Sequence, residues 1–79
     1  MEKLITIIIT TQQGEQFISS AKRVTIEMLE KVEIILEQVA SGELKFFQIT
    51  TTMGKKVYFS KEVLSTSIIT LDIKDIEEK

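Results

Sequence analysis

The stretch from Thr25 to Gly42 reads TIEMLEKVEIILEQVASG, and it decides the fold. Its apolar residues recur at spacings of three and four, which predicts an amphipathic helix with one face for a core. Thr25 suits the N-cap and Gly42 fits the position just after the last turn. The predicted apolar arc consists of Met28, Leu29, Val32, Ile35, Leu36, Val39 and Ala40. The predicted polar side consists of Glu27, Glu30, Lys31, Glu33, Glu37 and Gln38, with Ile34 among them.

Runs of β-branched and aromatic residues on both sides of this helix predict strands. The predicted strands span 5–11, 16–19, 44–52, 56–59 and 67–73, and a short irregular or helical turn is expected at 60–64. Gly14 and Gly54 mark turns, so the strands beside each of them are predicted to form a hairpin. The predicted order is β-β-α-β-β-β. The fold is therefore expected to be α+β, with the helix packed on one face of an antiparallel sheet of about five short strands.

The length of 79 residues allows one domain, predicted to span 1–73, with a charged tail at 74–79 that should fray. A domain this small buries only about 60% of the surface of its unfolded chain, so it needs reinforcement from disulfides, metals or oligomerisation. The sequence has no Cys and no His, which excludes disulfides and the commonest zinc sites. Oligomerisation is the reinforcement that remains, so we expect a homo-oligomer.

One short pattern occurs twice. Residues 9–14 read ITTQQG and residues 49–54 read ITTTMG, with Ile, Thr, Thr and Gly at matching positions forty residues apart. Beyond the Gly, Phe17 aligns with Val57 and Ser20 with Ser60. An internal repeat of two hairpins, one on each side of the helix, would explain the match. A chance match is the alternative, because Thr-rich strands and Gly turns are common, and the pattern favours neither explanation.

Composition and terminal sequence favour a cytoplasmic protein. The formal net charge of −2 provides no basic excess, which argues against nucleic-acid binding. No apolar run reaches the length of a membrane span, and the first residues lack the small-residue cleavage site of a signal peptide.

Catalytic and cofactor motifs are missing from the sequence. A nucleophilic triad lacks its usual base without His, and Ser60 and Lys61 would point apart as neighbours on a strand. The three Gly are isolated, so no phosphate-binding loop is predicted. The acidic residues Glu30, Glu33 and Glu37 indicate a solvated helix face rather than a metal site. We therefore expect no enzymatic activity, no metal and no cofactor.

A group of polar residues before the helix is a candidate anion site. Lys22 and Arg23 precede Thr25, with Ser20 nearby. Free N–H groups at a helix start, two cations and hydroxyl groups suit an anionic small molecule such as a nucleotide. Solvated basic residues are the more ordinary interpretation of the same pattern.

The outer face of the predicted sheet is a candidate interface. Alternation along the strands is predicted to direct these residues toward the helix: Ile7, Ile9, Phe47, Ile49, Val57, Phe59, Ile69 and Leu71. Ile8, Phe46, Tyr58 and Ile68 then face away from it. One helix cannot cover both faces, so these four residues predict an apolar patch and sheet-to-sheet association, with a two-fold dimer favoured. Ile34 is a candidate for a second contact.

Together these patterns predict a small non-enzymatic, homo-oligomeric module that binds a partner protein. Small proteins encoded by phages or mobile elements often act in this way, as inhibitors or sequestering proteins. The alternative hypothesis is a binder of an anionic small molecule at the helix N-terminus.

Overall fold

The computed structural model describes residues 2–76. Within them, the elements are β1 Glu2–Thr10, β2 Gln16–Ile18, β3 Lys22–Thr25, α1 Ile26–Ser41, β4 Phe46–Thr50, β5 Lys56–Ser60, α2 Lys61–Ser65 and β6 Ile68–Asp75. The α+β class is confirmed, with antiparallel strands packed against one main helix. Neither helix in this part of the chain has the length and apolar character needed to cross a membrane.

Strand β1 is the centre of a four-stranded sheet. β2 and β3 follow one another along one edge of β1, and β6 pairs with the other edge, all of them antiparallel. β4 and β5 form a separate two-stranded hairpin. This hairpin touches the larger sheet where Ser19 forms an isolated bridge with Thr51 and the Ser20 N–H donates to the Thr50 carbonyl, 2.8 Å away.

Helix α1 has the predicted ends. The Thr25 hydroxyl accepts a hydrogen bond from the Met28 N–H, and Gly42 ends the helix in the left-handed conformation with φ of 80°. Leu29 and Val39 are buried, whereas Val32 and Leu36 are half-buried. Glu30, Glu33 and Glu37 on the polar face are exposed as predicted. Three residues of the predicted apolar arc, at 28, 35 and 40, are exposed because they lie on the borders of the arc, beyond the reach of the sheet.

The core consists of two clusters under the helix. The larger one contains Ile9, Val39, Ile49, Phe59 and Leu64, with Ile7, Phe17, Leu44, Phe47, Val57 and Ile69 packed against it. The smaller one contains Ile5, Val24 and Leu29, with Val32 and Leu71. Phe17 and Phe59 join the two hairpins through an edge-to-face contact, their ring centroids 5.3 Å apart. All strand residues predicted to face the helix are therefore core or packed on it.

The two hairpins with the repeated sequence pattern have the same turn geometry. The N–H of Thr11 donates to the carbonyl of Glu15 at 2.8 Å, and the N–H of Thr51 donates to Lys55 at 2.8 Å. The two turn glycines both have positive φ, 89° and 79°. The cross-strand registers also match, because Ile9 faces Phe17 and the residues forty positions later, at 49 and 57, face each other.

Two strands differ from the sequence prediction. Lys22–Thr25 forms a strand where a segment preceding the helix was expected, because it pairs with the first half of β1, which itself begins at Glu2. The short irregular or helical turn expected after β5 is helical, and the Ser60 hydroxyl caps this helix, α2. β6 continues to Asp75, into the predicted frayed tail, because it pairs with β1 along its whole length. Residues 77–79 of that tail lie outside the described residues.

Candidate functional site: the outer face of the sheets

The outer face of the four-stranded sheet carries an apolar row across three strands. Ile8 of β1 lies directly opposite Ile18 of β2 and Thr70 of β6. Ile68 lies diagonally from Ile8 on this face, because it faces Thr10. Ile68 is 68% exposed and Ile18 45%, whereas Ile8 is half-buried between its neighbours.

Ile18 belongs to this row, although it was not among the predicted interface residues. Alternation along the short return strand could have identified it. Phe17 is the inward residue of that strand, so its neighbour Ile18 must point outward.

The outer face of the β4–β5 hairpin carries a second apolar group. Phe46 faces Ser60 and Tyr58 faces Gln48, so the two aromatic residues are diagonal neighbours on one face. Each is 63% exposed. Both rings are large, and much of their apolar area therefore lies in water in the isolated chain.

The four residues predicted to form one patch are placed in two pairs. Ile8 and Ile68 lie on the four-stranded sheet, whereas Phe46 and Tyr58 lie on the separate hairpin. The two sheets meet at the Ser19–Thr51 bridge. We call the two pairs together with Ile18 the outer face, and it has two apolar centres.

Ile34, the fifth predicted interface residue, is not part of the outer face. It is 54% exposed on helix α1, in a shallow depression that Glu37, Gln38, Ser41 and Glu43 also line. An apolar side chain surrounded by carboxylates and polar groups offers a poor surface for a dry contact.

Charged residues of the outer face gather at one end of the sheet. Arg23 and Lys74 lie opposite Leu4 on its two sides, and Asp72 lies opposite Thr6. The Arg23 guanidinium is 3.9 Å from the Glu2 carboxylate. Ile8, by contrast, lies directly opposite only apolar and uncharged polar side chains, those of Ile18 and Thr70.

The four residues of the candidate anion site do not converge. Lys22 faces Ile5 on the helix side of the sheet and Arg23 faces Leu4 on the outer side, because neighbours on a strand point in opposite directions. The Thr25 hydroxyl is occupied as the helix cap, 3.2 Å from the Met28 N–H. The helix start also has carboxylates beside it, since Glu2 and Glu27 line a small depression there with residues 25 and 26.

A cleft of about 340 Å³ is lined by residues of β1, β4, helix α1 and the segment 19–22. It contains two residues of the predicted anion site, Ser20 and Lys22. The Ser20 hydroxyl is 3.4 Å from the Thr50 carbonyl at one end. The other lining residues are Ile5, Ile7, Ser19, Ala21, Val32, Gln48, Ile49 and Thr50. The cleft therefore combines an apolar floor with one cation and several polar groups.

Metal-binding clusters are not found in the part of the chain that the structure describes. Between residues 2 and 76, no three Asp, Glu, His or Cys side chains are grouped to hold a metal ion. Ser60, considered above beside Lys61, accepts a hydrogen bond from the Val63 N–H and so serves as a helix cap. Comparisons of this chain with protein-family models, curated proteins and solved structures find no match.

Proposed function

We propose that this protein is a non-enzymatic binding module that self-associates as a two-fold dimer through its outer face and acts by occupying a partner protein. One observation carries the proposal. Phe46, Tyr58 and Ile68 are 63–68% exposed on the side of the strands that the helix does not cover. Occupying a partner is how inhibitors and sequestering proteins act, and it requires no catalytic group.

The energetic argument follows from the size of the chain. Full burial of one large aliphatic or aromatic side chain contributes about 1.5–3 kcal/mol, and the outer face offers several. A domain of this length has a stability of only about 4–12 kcal/mol at ordinary values per residue. Covering the outer face therefore represents a large fraction of the stability that such a chain can reach.

The arrangement of the residues also favours a specific contact. Single exposed apolar residues are normal on any protein surface. Ile8, Ile18 and Ile68 instead form a row across neighbouring strands, and Phe46 and Tyr58 form a diagonal pair. Rows of this kind are typical of association surfaces.

The test is sedimentation velocity at about 50 micromolar, a concentration that detects weak association. Wild type should sediment as an oligomer, and the Phe46→Glu, Ile68→Glu variant should lose the outer-face contact. The control is the Gln13→Glu, Met53→Glu variant, which adds the same number of negative charges at exposed turn positions. It should keep the mass of wild type.

Two results would contradict the proposal. One is a monomeric wild type at this concentration. The other is a folded Phe46→Glu, Ile68→Glu variant with the same mass as wild type, which would place the association on another surface.

A second candidate function is binding of an anionic small molecule, and the cleft lined by Lys22 and Ser20 is the observation that favours it. Its volume of about 340 Å³ falls at the lower end of the range for ligand sites. A thermal-shift series with AMP and inorganic phosphate tests it, because a bound ligand raises the melting temperature. A shift with AMP that Lys22→Ala abolishes and Arg23→Ala retains would support the cleft. No shift at millimolar ligand would remove this candidate.

A further inference from the structure

Strand β6 has an unpaired edge along its full length. Its eight residues pair with β1 on one side, and no other strand within residues 2–76 pairs with it. An edge of this kind presents free N–H and C=O groups that can pair with a further strand. Most strands in globular proteins have about five or six residues, so this is a long edge for a small domain.

The hydrogen bonds of β1 determine which groups of β6 are free. The Ile7 carbonyl accepts from the Ser19 N–H at 2.9 Å, so the backbone of Ile7 points toward β2. Successive residues of a strand direct their backbone groups to opposite edges, and Ile8 therefore bonds β6 through its partner Thr70. It follows that the backbone groups of Ile69, Leu71 and Ile73 point to the open edge.

These three residues are self-complementary in one antiparallel register. When Leu71 faces Leu71 of a second copy, Ile69 faces Ile73 of that copy and Ile73 faces its Ile69. All three pairs are hydrogen-bonded pairs, and all their side chains lie on the helix side of the sheet. Ile73, which is 42% exposed in the single chain, gains an apolar neighbour.

The charges on the other face fit the same register. Thr70 faces Asp72 of the second copy, and Ile68 faces Lys74, whose methylene stem can cover it. A shift that places Leu71 opposite Ile73 would put Asp72 opposite Asp72, and like charges directly opposite each other are destabilising. The apolar half of each strand thus meets the charged half of the other.

We propose that β6 pairs antiparallel with β6 of a second copy about Leu71, and that this edge contact joins two copies of the protein into one continuous sheet. The contact goes beyond the outer-face association proposed above and uses different atoms. The two-fold axis of a strand pair is perpendicular to the sheet, so the outer faces of both copies point to the same side. Edge pairing and outer-face stacking together produce an assembly of four chains.

The first test removes one free-edge donor. Ile73→Pro deletes an N–H that points to the open edge, whereas the bonds between β6 and β1 belong to residues at even positions. Its control, Ile73→Thr, shortens the apolar side chain but keeps the N–H. We expect sedimentation to give half the wild-type mass for Ile73→Pro and the full mass for Ile73→Thr.

The second test identifies the register and does not depend on a proline variant that folds. The chain has no Cys, so Thr70→Cys and Asp72→Cys each introduce a single thiol. In the proposed register, the Cα atoms of positions 70 and 72 of opposite copies are about 4.5 Å apart, within disulfide range. Identical positions are diagonal and about 7–8 Å apart, too far to cross-link well. A mixture of the two variants should form disulfide-linked dimers on oxidation, whereas each variant alone should not.

The outcomes separate the edge contact from the outer-face contact. Equal masses for Ile73→Pro and Ile73→Thr, or no excess of cross-linked dimer in the mixture, would overturn edge pairing. Phe46→Glu, Ile68→Glu keeps the edge contact, because residue 68 then faces Lys74 of the second copy. An unchanged mass for that variant would overturn the outer-face contact alone.

Discussion

Truncation of Ile9 to Ala is the sharpest test of the fold. Ile9 is fully buried and lies on the central strand of the four-stranded sheet, facing Phe17 on one side and Ile69 on the other. The change removes three carbons, which at about 0.8 kcal/mol each represents about 2.4 kcal/mol of lost transfer free energy. The cavity left behind adds to this, so the free energy of unfolding should fall by about 2–5 kcal/mol.

The assay is chemical denaturation at low protein concentration, with the thermal midpoint as a second reading. In a domain of this size, a loss of 1 kcal/mol lowers the melting temperature by about 4–8 °C, so the expected loss lowers it by at least about 8 °C. The matched control is Ile34→Ala on α1, where the side chain is 54% exposed and Ala is the better helix former. It should change stability by less than about 0.5 kcal/mol. Equal losses for the two variants would refute the assignment of Ile9 to the core.

Two further predictions concern the helix cap and the hairpin turns. Thr25→Ala should cost about 1 kcal/mol because the Met28 N–H loses its acceptor, whereas Thr52→Ala at an exposed turn position should be nearly neutral, as urea denaturation would reveal. Gly14→Ala and Gly54→Ala should each cost about 1–2 kcal/mol from the positive φ alone, because no atom lies within 4 Å of an added Cβ at either position. A difference of more than about 1 kcal/mol between these two variants would mean that the hairpins are not equivalent.

The helix could be predicted in detail from the sequence because its signals are local. Its cap at Thr25 and its end at Gly42 follow from residue type, and its inward residues Leu29 and Val39 follow from a spacing of three and four. The inward and outward sides of the long strands could be predicted for the same reason. The exposure of residues at the borders of the helix face was harder to predict. Whether Ile35 is covered depends on the width of the sheet beneath it.

Strand β3 could not be predicted, because its pairing is not local. Its sequence, KRVT, has one apolar residue, Val24, and its partner is the beginning of β1. The break in pairing between β2 and β3 also depends on a side chain. The Ser19 hydroxyl, in place of a backbone carbonyl, accepts a hydrogen bond from the Ile7 N–H at 2.8 Å. This directs Ser20 toward Thr50, and the chain then resumes pairing with β1.

The arrangement of the candidate site also depends on contacts that are not local in the sequence. Alternation identified Phe46, Tyr58 and Ile68 as outward residues, and their exposure confirms it. Whether they share one patch depends on strand order, which no periodicity encodes. Phe46 and Tyr58 therefore lie on the hairpin and Ile68 on the four-stranded sheet, although they were predicted to form one patch.

The distribution of apolar residues argues that stability and association are coupled. Within residues 2–76, eight apolar residues are buried, whereas eleven large apolar residues are exposed. Four of the eleven, Ile18, Phe46, Tyr58 and Ile68, lie on the outer face, which no helix in this part of the chain covers. Association would supply the missing cover, so the folded state should gain stability when copies meet.

The melting temperature should therefore rise with protein concentration. For a dimer that dissociates as it unfolds, a tenfold increase in concentration contributes about 1.4 kcal/mol, or about 0.7 kcal/mol per chain. At about 4–8 °C per kcal/mol, this predicts an increase of about 3–6 °C for each tenfold step. Scanning calorimetry between about 10 and 500 micromolar measures it, and the Phe46→Glu, Ile68→Glu variant should give a smaller slope. A melting temperature independent of concentration in wild type would mean that the exposed apolar residues remain in water in the native protein.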